Sequence, residues 1–341
     1  MRARGTTLTL TTWLTLAACV NGAPTSTAEP KISVKVQSPD PGPQPVVEPP
    51  PAPRQAPRQR HTVEVDGHPL AVWEKSPPSP TDVVVLVHGR TWSALPDFDL
   101  QVEGESRSLM DALVAEGFAT YAVDLRGYGQ TPRDDTQWLT PDRAEADVAA
   151  VLQWAHARHA DLPRPTLLGW SLGSLVGQLV AQRHGEAMST LVLYGYPRDP
   201  DRRYPKDPPG EVEPPKKATT GEAAAEDFRI PGSISAAGID AFVAQALAAD
   251  PVRMDWRASE QWNGLEPSQV RVPTLLIHGE QDPYAPVNNQ AELFSRLGTP
   301  DRAWVIVAGG DHAAHLENVG PRFVDAVVGF VRRPSSKASG P

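Results

Sequence analysis

The sequence predicts an α/β fold, a mostly parallel sheet of about eight strands flanked by helices. Three observations carry that reading. Runs such as Asp82–Val87 and Phe118–Val123 are apolar almost throughout instead of alternating, as suits strands buried on both faces. Helical patterns lie between the runs, and strand alternating with helix implies parallel crossovers. The segment between the Pro-rich start and the polar end, 61–333, is long enough for one large core.

Taken in order, His61–Val65 and Leu70–Glu74 flank Asp66-Gly67 and read as a β-hairpin. Asp82–Val87 is the first fully buried strand. Leu109, Met110, Leu113 and Val114 repeat at helical spacing and stop at Gly117, a C′ glycine. Phe118–Val123 is the next strand. Thr140-Pro141, a cap with proline at the first helical position, opens a helix through Val148, Val151, Leu152 and Ala155. Thr166–Leu168 is a strand leading into a helix over Leu172–His184, and Leu191–Tyr194, Thr274–Ile277 and Trp304–Val307 complete the set. The stretch 197–262 interrupts this rhythm. Its first part, to Pro231, holds eight prolines and many charges and reads as an irregular excursion. Ile239, Phe242, Val243, Ala246 and Leu247 then form an amphipathic helix closed before Pro251.

Composition narrows the function. Thirty-two Lys and Arg against 41 Asp and Glu give a net charge of −9, and with no basic run this disfavours nucleic acid as a partner. A single cysteine, Cys19, excludes an internal disulfide and a cysteine-rich metal site. Residues 1–18 read as a signal peptide: Arg2 and Arg4, then an apolar stretch, then small residues. Leu16-Ala17-Ala18-Cys19 resembles the bacterial lipobox, which implies cleavage before Cys19 and a lipid on its thiol. An ordinary secretory signal cut near Ala23 is the alternative. Residues 19–60 carry eleven prolines from Pro24 onward and predict a disordered tether, and 334–341 a disordered tail. The expected location is the cell envelope, exported and lipid-anchored, or else secreted.

The chemistry concentrates where the strands end, which is where doubly wound sheets bind ligands. Gly169-Trp170-Ser171-Leu172-Gly173 lies between a predicted strand and a predicted helix, the context of a G-x-S-x-G nucleophile elbow. Its glycines remove Cβ atoms that would collide in the sharp turn, and the amide of Leu172 falls at a helix N-terminus, facing a developing oxyanion. A serine hydroxyl is a weak nucleophile that needs a neutral imidazole in reach, and the imidazole needs a carboxylate to set its tautomer.

With these residues the chain resembles the α/β-hydrolase superfamily from His61 to Arg333. His88-Gly89 resembles the superfamily's HG loop, which implies the backbone N–H of Arg90 as a second oxyanion donor, with Thr91 the close alternative. Asp124-Leu125-Arg126-Gly127-Tyr128-Gly129 matches its D-x-R-G-x-G turn, read as structural with the aspartate and arginine pairing. His278-Gly279-Glu280-Gln281-Asp282-Pro283 resembles the acid-bearing segment and Gly309-Gly310-Asp311-His312 the histidine loop. The resemblance implies a triad of Ser171, Asp282 and His312, in the chain order that the fold expects, and a small cap in 197–262 that leaves the pocket partly open.

Other candidates sit beside these. His315 reads as a supporting or surface residue, Asp311 and Glu280 as rival acids, with Asp311 solvated or loop-forming. His88 and His278 precede glycines at strand ends and are expected to bond loop backbone. Trp92 and Trp170 are candidates for an apolar pocket, with Trp256 and Trp262 behind them. Asp97 and Asp99 are expected in a solvated loop. Neither His88 nor His278 pairs with others at a metal-ligand spacing, and with no second cysteine or H-E-x-x-H neither metal nor cofactor is expected. The expectation is a serine hydrolase cleaving carboxylic esters of small molecules through an acyl-enzyme. In the superfamily the same triad also serves thioesterases, lactonases, amidases, carbon-carbon hydrolases, acyltransferases and cofactor-free perhydrolases. A non-catalytic envelope lipoprotein is the alternative from another class. Serine at 171 excludes the superfamily branch with an aspartate nucleophile.

Overall fold

In a computed structural model, residues 56–210 and 212–334 are described. The signal peptide, Cys19, nearly all of the tether and nearly all of the tail lie outside them.

The hairpin pairs β1 (Gln59–Val65) with β2 (His68–Lys75). Its first strand starts two residues before the predicted His61. β3 (Asp82–Val87) leads through the short α1 (Ala94–Phe98), the two-residue strands β4 (Gln101–Val102) and β5 (Glu105–Ser106), and α2 (Leu109–Ala115) to β6 (Phe118–Val123). Then come α3 (Pro141–Arg158), β7 (Thr166–Trp170), α4 (Leu172–Arg183) and β8 (Thr190–Tyr194). The insertion contributes α5 (Gly221–Ala225) and α6 (Ala236–Ala249), before β9 (Thr274–Gly279), α7 (Val287–Arg296), β10 (Arg302–Val307) and α8 (Gly320–Val331). Thr140 caps α3 by accepting from Arg143 N, and Ser108 caps α2 through Asp111 N, each satisfying an orphan amide of the first turn.

Among the described residues eight strands form one sheet in the order β1-β2-β6-β3-β7-β8-β9-β10. The pairs among β3, β6, β7, β8, β9 and β10 are parallel, and only the hairpin side is antiparallel. Strand alternation sends Val83, Val85 and Val87 into a core under α3 and α4, and Val84 and Leu86 into a second core shared with α2 and α8. That two-sided burial is why the runs are uniformly apolar. The order reverses at β3, and Val87 is in register with both Val123 and Gly169. The loops after β3, β6 and β7 therefore leave the sheet at one level, on one edge.

Three charged positions depart from expectation: Asp97, Asp99 and Arg126. Asp97 and Asp99 are buried, not solvated. Asp99 accepts from Lys75 Nζ at 2.6 Å, Ser108 Oγ at 2.6 Å and Arg58 at 3.0 Å, partners enough to hold a carboxylate away from water. Arg126 does not pair with Asp124. It makes a buried two-pronged bond to Asp147 on α3, at 2.7 and 2.8 Å, while Asp124 accepts from Trp73 Nε1, Ala94 N and Gln130 N.

Candidate active site

Ser171 stands between β7 and α4 at φ 53°, a left-handed conformation that a side chain normally avoids. The turn is held by Ser171 N donating to Tyr194 O at 2.8 Å. Close approach explains the flanking glycines: a Cβ on Gly169 would lie 2.2 Å from Gly173 O, and one on Gly173 2.2 Å from Val87 O. Leu172 is the first residue of α4, so its N–H has no preceding turn to bond. Among the described residues neither this amide nor that of Arg90 donates to a protein acceptor.

The histidine loop follows β10. His312 Nδ1 bonds Asp282 Oδ2 at 2.8 Å, with both side chains buried. The carboxylate is fixed in turn, its Oδ1 accepting from Tyr284 N at 2.9 Å and Ala285 N at 3.2 Å. A carboxylate facing Nδ1 places the proton there and leaves Nε2 as the basic nitrogen. Trp170, next to the serine, donates Nε1–H to His312 O at 2.9 Å, its ring centroid 5.3 Å from the imidazole, so the serine and histidine loops touch. Ser171 and His312 share no hydrogen bond in this arrangement.

The neighbours resolve differently from one another. His88 and His278 bond the backbone of the next glycine, at 2.8 and 2.7 Å, as expected. Burial pushes the His88 imidazole down to about 4. His315 is buried, not at the surface, with Nε2 on Asp97 O at 2.6 Å and Nδ1 3.0 Å from the Tyr194 hydroxyl. Asp311 is buried rather than solvated, and its carboxylate accepts from His312 N and Arg229 N, shaping the loop. Glu280 accepts from Gly309 N at the surface side. Trp170 is buried beneath the histidines, and Trp92 is buried with Nε1 donating to Asp227 Oδ2 at 3.0 Å. Trp256 donates to Tyr128, which in turn donates to Arg90 O.

Sequence reading missed four residues. Asp227, in the stretch read as excursion, faces the His312 region; burial raises its carboxyl to about 6, opposed by the nearby imidazole. Asp250, at the end of α6, accepts from Ser93 N at 2.7 Å and Gly129 N at 2.8 Å, tying the insertion to two loops of the site. Tyr284 places its ring edge-on to His312, centroids 4.8 Å apart. Gly195 sits against the His312–Asp282 pair. None carries a local motif; each matters through a contact distant in sequence.

Residues 78–319 match the family model described as serine aminopeptidase, S33. The chain belongs to this family. It is therefore an α/β-hydrolase enzyme, and the fold and the elbow agree with that. Its relatives include the 2-hydroxy-6-oxo-6-(2'-aminophenyl)hexa-2,4-dienoic acid hydrolase of Metapseudomonas resinovorans, 26% identical over 263 residues, 73% of this chain and 84% of that protein. They include the pimeloyl-[acyl-carrier protein] methyl ester esterase of Aeromonas hydrophila, 29% identical over 244 residues, 64% of this chain and 87% of that one. Among solved structures, the thioesterase domain from the curacin biosynthetic pathway superposes with a TM-score of 0.55 at 18% identity, covering 81% of this chain and 99% of that domain. An epoxide hydrolase from Vigna radiata gives 0.57 at 16% identity, with 81% and 98% covered. At such identities the structures share the S33 chain's fold and nothing finer.

Proposed function

We propose that the protein cleaves carboxylic esters by nucleophilic catalysis at Ser171. The observation that carries this reading is the buried His312–Asp282 bond of 2.8 Å on a loop adjoining the strained elbow. In the proposed cycle Ser171 Oγ attacks the ester carbonyl while His312 Nε2 takes its proton. The tetrahedral oxyanion rests on the N–H groups of Arg90 and Leu172. Collapse breaks the bond to the alcohol oxygen, which takes the proton from His312, and leaves an acyl group on Ser171. Water, deprotonated by His312, then attacks the acyl-enzyme and returns the serine. The methyl ester esterase among the relatives supports an ester, and the dienoic acid hydrolase keeps other acyl substrates in view. Trp92 and Trp170 are the proposed pocket residues. Export and lipid attachment at Cys19 belong to the same proposal and rest on the Leu16–Cys19 pattern.

The test is labelling with a fluorophosphonate probe, mapped by peptide mass spectrometry, in wild type, Ser171→Ala and His312→Ala. Labelling at Ser171 that both variants lose is the expected result. A folded wild type that takes no label would refute the proposal.

A further inference from the structure

The loop that follows β3 is gripped by four carboxylates. Asp97 Oδ2 accepts from Gly89 N at 3.1 Å, Asp250 Oδ2 from Ser93 N at 2.7 Å, Asp124 Oδ1 from Ala94 N at 3.0 Å, and Asp227 Oδ2 from Trp92 Nε1 at 3.0 Å. Only Asp97 holds the residue directly before Arg90, whose amide is the proposed second oxyanion donor. The geometry points to Asp97 as the positioning residue of the oxyanion hole, an inference that rests on the serine-hydrolase reading above.

The direction of the Arg90 amide follows from its peptide plane. His88 Nε2 accepts from Leu125 N at 3.1 Å, so Nδ1 carries the proton and donates to Gly89 O at 2.8 Å. In a trans peptide C=O and N–H point in opposite directions, so anchoring Gly89 O turns Arg90 N–H the other way. The remaining freedom lies at Gly89 itself, the least restrained residue type. Asp97 removes it by taking the Gly89 N–H, so that the residue is held at both its amide and its carbonyl. A Cβ at Gly89 would lie 3.6 Å from Ser171 Cβ, so this anchored residue faces the nucleophile.

Asp97 is itself tied to the catalytic base. Its carbonyl can only accept, so His315 Nε2 carries the proton of their 2.6 Å bond. His315 lies three residues beyond His312, and the Tyr194 hydroxyl bridges them, donating to His312 O at 2.7 Å and accepting from His315 N at 3.4 Å. One strut thus joins the histidine loop to the oxyanion loop. The other Asp97 oxygen, Oδ1, is buried with no hydrogen-bond partner. An apolar side chain would fill that space without the desolvation penalty, and what it would lack is the acceptor for Gly89.

The experiment compares wild type, Asp97→Leu and Asp97→Asn in hydrolysis of 4-nitrophenyl acetate and in binding of an alkyl trifluoromethyl ketone, whose adduct on Ser171 places an oxyanion in the hole. Misplacing one donor is expected to lower kcat by about tenfold to a hundredfold in Asp97→Leu, with KM changed less than about threefold. Ketone affinity is expected to fall by the same factor as kcat/KM, while inhibition by the product acid stays within about threefold. A packing role alone would not split the two inhibitors in this way. Asp97→Asn keeps an acceptor oxygen for Gly89 and is expected to recover most of both losses. Should Asp97→Leu fail to fold, Asp97→Ser, whose hydroxyl is too short to reach Gly89, takes its place with the same expectation. Ketone binding in the apolar or serine variant equal to wild type, or an equal loss in Asp97→Asn, overturns the inference. A wild type that forms no ketone adduct overturns the serine-hydrolase reading, and this inference with it.

Discussion

A single methyl group placed at Gly195 tests whether the His312–Asp282 pair is tuned as closely as its surroundings suggest. Gly195 follows β8 at φ +56°, its amide bonded to Ile277 O at 2.9 Å. A Cβ there would lie 3.0 Å from His312 Cε1, 3.1 Å from His312 Nδ1 and 3.1 Å from Asp282 Oδ2. Ordinary carbon contacts sit near 3.5–4.0 Å, so the imidazole and carboxylate of Gly195→Ala must retreat by about 0.5 Å. If about 1 Å of misplacement costs roughly a hundredfold, half of that costs about tenfold in kcat. The left-handed backbone adds about 1–2 kcal/mol of instability for any residue with a Cβ. Gly67→Ala separates the two effects: Gly67 also has positive φ, +74°, but a Cβ there meets nothing within 4 Å. Both variants should lose a similar few degrees of Tm, and only Gly195→Ala should lose turnover of 4-nitrophenyl acetate. A Gly195→Ala enzyme with the kcat of Gly67→Ala would refute the reasoning.

Two further predictions concern the acids. Asp282→Asn keeps an oxygen for the Tyr284 and Ala285 amides but presents no carboxylate to Nδ1, so kcat should fall by about 10⁴-fold with little change in Tm; a loss under about tenfold would assign the acid's role elsewhere. Asp227 has its carboxyl raised by burial from 3.8 to about 6. The folded state thus holds that proton more tightly than the unfolded chain, a contribution complete below about pH 4 and lost as pH rises through about 6. Asp227→Asn removes the titration, so its Tm relative to wild type should rise between pH 4 and pH 8, and an unchanged difference would contradict a raised carboxyl.

The parts of the site legible in the sequence are those whose signal is short. Gly169, Ser171 and Gly173 lie within five residues, and the turn requires both glycines because each missing Cβ clears a specific backbone atom. Asp282 and His312 were singled out through strand-end motifs, and the structure holds their side chains 2.8 Å apart. Burial of charge was not legible. Asp99, beyond α1, finds Lys75 at the end of β2, Arg126 finds Asp147 on a helix, and the Asp97 carboxylate takes the Gly89 amide. A carboxylate in a Pro-Asp-Phe-Asp segment looks solvated until its partners are known, since only they offset the cost of removing it from water.

The sequence by itself determined the parallel sheet, its helix caps and the elbow, because apolar periodicity, capping residues and glycine punctuation act over a few positions. Only the tertiary structure decided that four acids grip one loop, that Tyr194 braces the loop bearing His312 and His315, and that Asp227 and Asp250 join the insertion to the site. Those contacts depend on which loops the strand order brings to one edge, and that follows from the packing of the whole chain.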